Sequence, residues 1–243
     1  MTGAMMTSAS VKWREWGFSN QMHFALVNGL QAEPSPGLYG VCKNCEAVMI
    51  SKCGEHKVWH WAHKSRINCD SWWEPETEWH RRWKNHFPAD WQEIIQFDPV
   101  SNEKHIADVK TVHDQVIEFQ HSPMKPDELR SREAFYKNMI WIVDGCRGFA
   151  DATNFNMGLC ERIDPENGPT IFPFYWYGRS KLIENWKATT CPVFLDFGHN
   201  VAWRLVTYDP AKKLGIVGPI EKEDLVKDLL DGKPVARIRS GDE

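Results

Sequence analysis

The sequence predicts a mixed α/β fold of the α+β type, with a small metal-binding element ahead of a central core and an α+β extension after it. Two observations support this prediction. Residues 74–143 read in the order helix, strand, strand, strand, helix, strand, from the spacing of their apolar residues. Ahead of that core, four of the seven cysteines fall within residues 42–69, which indicates a metal site.

The elements before the core are predicted to be short. Residues 11–37 form a lead-in with one or two strands, within Lys12–Gly17 and Met22–Gly29, and the breaker run Glu33-Pro-Ser-Pro-Gly37 ends it. Residues 38–72 are then predicted to form the metal-binding element.

The core, residues 73–149, is predicted to begin with a helix over residues 74–87. Pro75 suits a first helical turn, acidic residues crowd the start of this segment and basic residues follow them. Apolar residues recur every four positions, at Trp79, Trp83 and Phe87. The helix should therefore bury one face.

The rest of the core is predicted to hold four strands and one helix. Residues 92–98 form the first strand, and Lys104–Thr111 with Gln115–His121 form a hairpin, because polar and apolar residues alternate on both sides of a turn. Pro126–Asn138 reads as a helix. The continuous apolar run Met139–Val143 predicts a buried strand.

The C-terminal part, residues 150–243, is predicted to be an α+β extension without an assigned role. Its aromatic segment Thr170–Tyr177 favours a strand. A short helix, a strand pair around Gly198-His199-Asn200 and a last helix are expected at Arg179–Lys187, Cys191–Phe197 with Val201–Thr207, and Glu221–Leu230.

Composition narrows the class of protein. A net charge of −4 argues against a histone-like DNA binder, and the 42% hydrophobic content is that of a globular protein. No apolar run reaches the roughly 18–20 residues of a membrane span. Met1 to Ser10 lack the features of a signal peptide, so a cytoplasmic location and no membrane partner are expected. The thirteen Trp suit a core or, for a few of them, base stacking.

The cysteine and histidine residues of residues 42–69 predict a zinc site. Cys42-x2-Cys45 is a turn that points two thiolates at one cation, and zinc completes a tetrahedron with two more Cys or His ligands. The preferred set is Cys42, Cys45, His63 and Cys69, with His60 or Cys53 as substitutes. Because four protein ligands leave no open position, this zinc would be structural.

The hairpin also carries a candidate site for Mg²⁺ or Mn²⁺. Asp108 lies on its first strand, and Glu118 and Gln120 lie on one face of the second. The two carboxylates would bind the cation, with the Phe119 carbonyl as a further ligand and Gln120 orienting water. Charged groups inside apolar strands are costly to bury without such a cation.

A polar stripe on the preceding helix is expected to face this site. Glu76, His80 and Lys84 follow one another at intervals of four residues, so that they could touch metal, water or phosphate. The alternative is a solvated helix face with favourable charge spacing.

The helix after the hairpin offers possible contacts to a phosphate backbone. The candidates are Arg130, Arg132 and Tyr136. The alternative is that these side chains take part in intrahelical ion pairs, such as Glu128–Arg132 and Glu133–Lys137.

Taken together, the ordered motifs of roughly residues 38–145 resemble those of the CoiA-like competence proteins. The motifs are Cys42-x2-Cys45, His60-Trp-Ala-His63-Lys, Cys69-Asp70, Glu76-x3-His80-x3-Lys84, Ala107-Asp108-Val109, Ile117-Glu118-Phe119-Gln120-His-Ser and Arg130-x5-Tyr136. The ordered set carries the resemblance more than any single motif does. Residues after about 150 lie outside it.

The resemblance implies a restriction-endonuclease-like core of the PD-(D/E)XK superfamily, αβββαβ, with an N-terminal zinc-ribbon-like element. It further implies Mg²⁺-dependent phosphodiester cleavage of DNA. By position, the active-site set would be Glu76, Asp108, Glu118 and Gln120. The superfamily's usual Lys is Gln120 here, as it is in CoiA-like proteins.

The leading functional prediction is therefore a metal-dependent DNA endonuclease or exonuclease in DNA processing, recombination or defence, acting on single- or double-stranded DNA. The first alternative is a nucleic-acid-binding accessory protein with weak or no catalysis on the same fold. A third is a zinc-stabilised interaction module, whose aromatic C-terminal region would contact a protein partner or a second copy of the chain.

Overall fold

The computed structural model describes residues 21–65, 69–166 and 168–235. Within these ranges the chain forms fourteen strands in two sheets and four α-helices, so the mixed α/β class is confirmed. The predicted segment Lys12–Gly17 lies outside the described residues.

The N-terminal sheet has six antiparallel strands. They are β1 (Gln21–Met22), β2 (Ala25–Val27), β3 (Leu30–Ala32), β4 (Tyr39–Val41), β5 (Val48–Lys52) and β6 (His60–His63), in the spatial order β1-β6-β5-β4-β2-β3. Strands from both sides of the boundary predicted between residues 37 and 38 share this sheet. The lead-in and the metal-binding element are thus one unit around a core that includes Met22, Met49 and Trp61.

The first helix, α1 (Glu78–Lys84), is shorter than the predicted residues 74–87. Thr77 is its N-cap: the Thr77 hydroxyl accepts the His80 N–H, and the His80 ring accepts the Thr77 N–H. These reciprocal bonds satisfy donors at the helix start. The prediction that Pro75 lies in the first turn is therefore wrong, and Glu76 precedes the helix.

The core elements follow in the predicted order. After α1 come β7 (Gln92–Asp98), β8 (Glu103–Lys110), β9 (Val116–Gln120), α2 (Pro126–Tyr136) and β10 (Met139–Asp144). The first three strands form an antiparallel meander, and α2 carries the chain over to β10, which lies parallel to β9. This is the connection that parallel neighbours require.

The C-terminal part adds α3 (Asp151–Gly158), β11 (Phe172–Tyr175), β12 (Val193–Asp196), β13 (Val201–Asp209), β14 (Leu214–Glu221) and α4 (Lys222–Leu230). The predicted strand pair is β12 with β13. The helix predicted at Arg179–Lys187 is wrong, because that segment holds only a 3₁₀ turn at Glu184–Trp186. Strand β14 and helix α3 were not predicted; β14 contains two glycines and a proline, which weaken a strand pattern.

One eight-stranded sheet joins the core to the C-terminal strands, in the order β11-β14-β13-β12-β10-β9-β8-β7. The boundary predicted between residues 149 and 150 therefore runs through a sheet. Side chains alternate along β10, so that Trp141 and Val143 pack on the α2 side and Ile140 and Ile142 pack on the α1 and α4 side. Among the described residues, no helix is long and apolar enough to cross a membrane.

Candidate functional site

Four of the predicted zinc ligands meet beside the N-terminal sheet. The ligand atoms of Cys42, Cys45, His63 and Cys69, here called the thiol cluster, all lie within 4.8 Å of one another. The Cys42 and Cys69 sulfurs are 4.0 Å apart, and the Cys45 sulfur is 3.2 Å from His63 Nε2. Cys42 follows β4, and the turn back to β5 is closed by Glu46, whose φ is 61°.

This geometry suits a metal ion such as zinc. Tetrahedral zinc with metal–sulfur bonds of about 2.3 Å separates its sulfur ligands by about 3.8 Å, close to the Cys42–Cys69 distance. Hydrogen bonding from Cys69 holds the pKa of the Cys42 thiol well below its usual range, so that a thiolate is already favoured there. The thiol cluster could thus hold a metal.

The two predicted substitutes do not join the thiol cluster. His60 Nδ1 lies 2.8 Å from the Val58 carbonyl, and its place on β6 puts it on the opposite face from His63. Cys53 lies in the loop after β5 and is not part of the group.

A second polar group, here called the carboxylate row, consists of Glu93, Asp108 and Glu118. Strands β7 and β8 pair Gln92 with Val109 and Ile94 with Ala107, so Glu93 lies across from Asp108 between these pairs. Strands β8 and β9 pair Val109 with Ile117, and Asp108 and Glu118 are the next residues along. The last two are tied by the backbone: Asp108 N–H donates to Glu118 Oε1 at 3.1 Å, and Phe119 N–H donates to Asp108 Oδ2 at 3.0 Å. Antiparallel pairing thus places three acids side by side.

Two buried cations face the carboxylate row. Lys84 Nζ lies 3.0 Å from Asp108, 3.7 Å from Glu93 and 3.3 Å from Glu76. The Arg132 guanidinium lies 3.0 Å from Glu118. Both cations are buried and ion-paired, and their predicted contacts with a nucleic acid stay predictions.

The predicted polar stripe is buried at all three positions, Glu76, His80 and Lys84. The alternative of a solvated helix face is therefore wrong. Burial disfavours ionisation of Glu76, but Lys84 and Arg81 more than offset this and hold its pKa at about 2. Glu76 is therefore a stable anion that helps to fix the Lys84 ammonium.

Glu118 behaves differently from Glu76. Burial and the neighbouring Asp108 charge outweigh the attraction of Arg132 and raise the pKa of Glu118 to about 8. The Glu118 carboxyl is therefore held protonated beside a second acid, although the Arg132 guanidinium lies 3.0 Å away. Such perturbed acids are frequent at functional sites.

His80 connects the start of α1 to β9. Its Nδ1 accepts the Thr77 N–H, which leaves Nε2 to donate to the Phe119 carbonyl at 3.0 Å. Nε2 also lies 3.4 Å from Glu74. The Phe119 carbonyl, predicted as a metal ligand, thus already accepts one hydrogen bond and keeps one lone pair.

A cavity of about 60 Å³ lies against these groups, enough for a few water molecules. Its wall includes the carboxylate row, Glu76, His80, Lys84 and Arg132. The N-terminal sheet contributes Gln21 and Met22 to the same wall. Both sheets therefore build this carboxylate cavity.

Sequence reasoning missed three acids of the cavity wall, Asp70, Glu74 and Glu93. Glu74 accepts the N–H groups of His121 and Ser122 at 3.1 and 3.0 Å, which fixes the chain beyond β9. Glu93 stands inside the predicted strand over residues 92–98, and its register opposite Asp108 was the signal that a pairing prediction could have used.

Gln120 is not among the described residues that line the carboxylate cavity. Its Nε2 donates to the Ser122 carbonyl at 2.9 Å. Its buried Oε1 has no hydrogen-bond partner within the part of the chain that the structure describes. The geometry brings Asp108, Glu118 and Glu76 toward one cavity but leaves Gln120 beside it.

The other predicted phosphate contacts of α2 divide into a surface residue and a buried one. Arg130 is exposed and paired with Asp127. Tyr136 is buried, and its predicted contact with a phosphate backbone stays a prediction. The intrahelical pair between Glu128 and Arg132 is present at 2.6 Å. Glu133 instead accepts hydrogen bonds from Trp141 and Thr190.

Comparisons of this chain with protein-family models, curated proteins and solved structures found no match. Among the described residues the thiol cluster is the one group of three or more Cys, His, Asp or Glu ligand atoms that all lie within 4.8 Å of one another. In the carboxylate cavity, Lys84 and Arg132 already form ion pairs with Asp108 and Glu118.

Proposed function

We propose that this chain is a nuclease that hydrolyses DNA phosphodiester bonds with the help of Mg²⁺ or Mn²⁺ at the carboxylate cavity. The observation that carries the proposal is the pairing of Asp108 and Glu118 across two strands, with Lys84 3.0 Å from Asp108 in a buried cavity. Paired carboxylates beside a fixed cation are what phosphoryl chemistry requires.

The residues present fit a hard divalent cation. Asp108 and Glu118 would hold it with the Phe119 carbonyl, because oxygen ligands suit Mg²⁺ and each of these groups keeps acceptor capacity. The raised pKa of Glu118 is consistent with a role as a cation ligand, since a bound cation would replace its proton. A bound Mg²⁺ would supply Lewis acidity and an activated water for hydrolysis.

Lys84 has the role of stabilising negative charge on the scissile phosphate. The resemblance places Gln120 where the superfamily's usual Lys stands, and a neutral amide cannot supply that charge. Lys84 reaches the cavity from α1 instead, held 3.3 Å from Glu76. A fixed cation in a site that excludes water stabilises developing charge far better than a mobile one on the surface.

His80 and Glu76 act on the positions of other groups. His80 fixes the Phe119 carbonyl through its 3.0 Å hydrogen bond, and Glu76 fixes Lys84. Both residues lie within four positions of the Thr77 cap, so this cap helps to position both the Phe119 carbonyl and Lys84.

The thiol cluster has a structural role in this proposal, with zinc as its metal. Cys69 directly precedes Asp70, which accepts the Ile106 N–H at 2.8 Å. Ile106 lies on β8, two residues before Asp108. A metal at the thiol cluster would therefore fix the segment that borders the carboxylate cavity.

We also propose that the chain belongs to the CoiA-like family with a PD-(D/E)XK core. The element order α1-β7-β8-β9-α2-β10 and its sheet pairings support this assignment. Cys42, Cys45, Cys53, Cys146 and Cys160 carry free thiols, which suits a reducing, cytoplasmic setting.

A second candidate function is nucleic-acid binding without cleavage. One observation favours it: Lys84 and Arg132 already neutralise much of the carboxylate row, so that cation binding has to compete with them. This candidate predicts salt-dependent DNA binding without products at any Mg²⁺ or Mn²⁺ concentration.

Labelled single- and double-stranded DNA incubated with Mg²⁺, with Mn²⁺ and with neither cation tests the proposal. EDTA would also remove zinc from the thiol cluster, so buffer freed of divalent cations is the better blank. We expect cleavage that requires the added cation. Asp108→Ala and Glu118→Ala should each reduce it by about 100-fold or more, while the exposed Glu103→Ala on β8 leaves it unchanged. Cleavage without added cation, or full activity in both variants, would contradict the proposal.

A further inference from the structure

Glu93 has an unusual backbone for a strand residue. Its φ is 50°, in the left-handed region that disfavours side chains with a Cβ. It is also buried, although an isolated buried carboxylate is costly. Strain of this kind persists only when the surroundings hold the residue in place, and it concentrates at functional sites.

The Glu93 carboxylate is bound by the N-terminal sheet. Its Oε1 accepts the His23 N–H at 2.6 Å, and its Oε2 accepts the Phe24 N–H at 3.0 Å. These two consecutive donors lie in the link between β1 and β2. Both carboxylate oxygens therefore hold that link against β7.

The same carboxylate faces Lys84. Glu93 Oε1 lies 3.7 Å from the Lys84 ammonium, which Asp108 and Glu76 approach from other sides. Burial raises the pKa of Glu93 and the charge of Lys84 opposes that rise, so the lysine favours the ionised acid. The Glu93 side chain thus contacts both the link between β1 and β2 and the Lys84 ammonium.

We propose that Glu93 is a positioning residue that ties the N-terminal sheet to Lys84 and thereby aims the ammonium at the carboxylate cavity. The positioning of Lys84 by Glu93 follows from the contacts of Glu93 with His23, Phe24 and Lys84. The consequence for catalysis rests on the proposed nuclease function. The strained backbone is the local cost of turning the carboxylate toward His23, Phe24 and Lys84.

Site-resolved lysine labelling tests this positioning of Lys84 without any need for activity. The full chain is treated with acetic anhydride under native conditions, and the acetylation rate of each lysine is read by mass spectrometry. Glu93→Gln keeps the size of the side chain but loses its charge. We expect Lys84 labelling to become about tenfold faster, which corresponds to about 1.4 kcal/mol of easier exposure. Lys110, the last residue of β8, whose side chain is 26% exposed, serves as the internal reference.

Two further variants separate positioning from general loosening. Glu103→Gln removes an exposed carboxylate from the neighbouring strand and should leave Lys84 labelling unchanged. Glu93→Asp keeps the charge on a side chain that is one methylene shorter, so it should restore slow labelling only in part. If Glu93→Gln does not fold, Glu93→Asp alone decides: a rate between those of the wild type and the unfolded chain supports the proposal. Wild-type rates in either folded Glu93 variant would overturn it.

Cleavage kinetics provide the second readout. If Glu93 aims Lys84, Glu93→Gln should lower kcat about tenfold with little change in KM, because the lysine acts on the transition state more than on substrate binding. A rise in KM at constant kcat would contradict the positioning role. If the wild-type protein cleaves no DNA, the nuclease proposal fails, while the labelling still decides whether Glu93 positions Lys84.

Discussion

The thiol cluster and the carboxylate cavity hold their ligand atoms differently. In the thiol cluster, four atoms lie within 4.8 Å of one another. In the carboxylate cavity, Asp108 and Glu118 face protein cations, Lys84 at 3.0 Å and Arg132 at 3.0 Å. The first arrangement is closed around one position, and the second leaves a cavity of about 60 Å³.

This difference separates a structural role from a chemical one. Four saturating ligands leave no open coordination position, which suits a metal that stabilises a fold. Carboxylates that keep free lone pairs beside a small cavity leave room for a cation, water and a phosphate oxygen. The two regions should therefore respond differently to metals, to substitution and to pH.

The largest effect is expected in the thiol cluster. Cys69→Ser should abolish stoichiometric zinc binding and lower the free energy of unfolding by more than about 5 kcal/mol, because structural zinc contributes about 10–16 kcal/mol of apparent binding free energy. Zinc content and urea denaturation measure both quantities. Cys53→Ser, outside the cluster, is the control; equal effects of the two changes would mean that the cluster holds no structural metal.

The buried ion pair of the carboxylate cavity gives the next largest effect. Arg132→Met should destabilise the fold by about 2–3 kcal/mol, because it removes buried hydrogen bonds to Glu118, to Glu128 and to the Trp72 carbonyl. Arg130→Met on the same helix changes an exposed side chain and should cost less than about 0.5 kcal/mol. Chemical denaturation compares the two. Equal costs of the two changes would contradict a stabilising role for the buried contacts of Arg132.

Stability should depend on pH through Glu118. Its pKa rises from the ordinary 4.5 to about 8 in the folded chain, so between these values the folded state holds a proton that the unfolded state has lost. The free energy of unfolding therefore falls as pH rises from about 5 to about 8. Glu118→Gln should remove this slope in buffer without divalent cations. Parallel pH profiles of the two proteins would count against the protonated Glu118.

The smallest effect concerns the start of α1. Thr77→Ala removes the N-cap that orients His80 and should cost about 1 kcal/mol. The comparison is Thr153→Ala on the exposed face of α3, which should stay within about 0.5 kcal/mol. Thermal unfolding of both variants measures the difference. If the two costs are equal, the cap does not fix the polar stripe beside the cavity.

Local patterns in the sequence predicted more of the fold than of the site. Strand β7 has the predicted bounds, and β8, β9 and β10 differ from them by one or two residues, because alternation and apolar runs report burial directly. The Cys42-x2-Cys45 turn is equally local. Helix α1 was predicted too long because the Thr77 cap, rather than Pro75, sets its start.

The parts that the sequence could not reveal depend on pairing between distant segments. The position of Glu93 opposite Asp108 follows from strand register, and its bonds to His23 and Phe24 join segments about 70 residues apart. The burial of Arg132 depends on which face of α2 meets the sheet. A charged residue on a helix reads the same from sequence whether it faces water or a buried carboxylate.

Metal content measured in paired variants distinguishes the thiol cluster from the carboxylate cavity. Zinc is quantified by elemental analysis, and Mn²⁺ bound in place of Mg²⁺ by electron paramagnetic resonance, in the wild type, in Asp108→Asn and in Cys69→Ser. We predict that Asp108→Asn keeps its zinc and loses its Mn²⁺, while Cys69→Ser loses its zinc. Equal Mn²⁺ binding in the wild type and Asp108→Asn, or no Mn²⁺ binding in the wild type, would contradict two distinct metal sites in this chain.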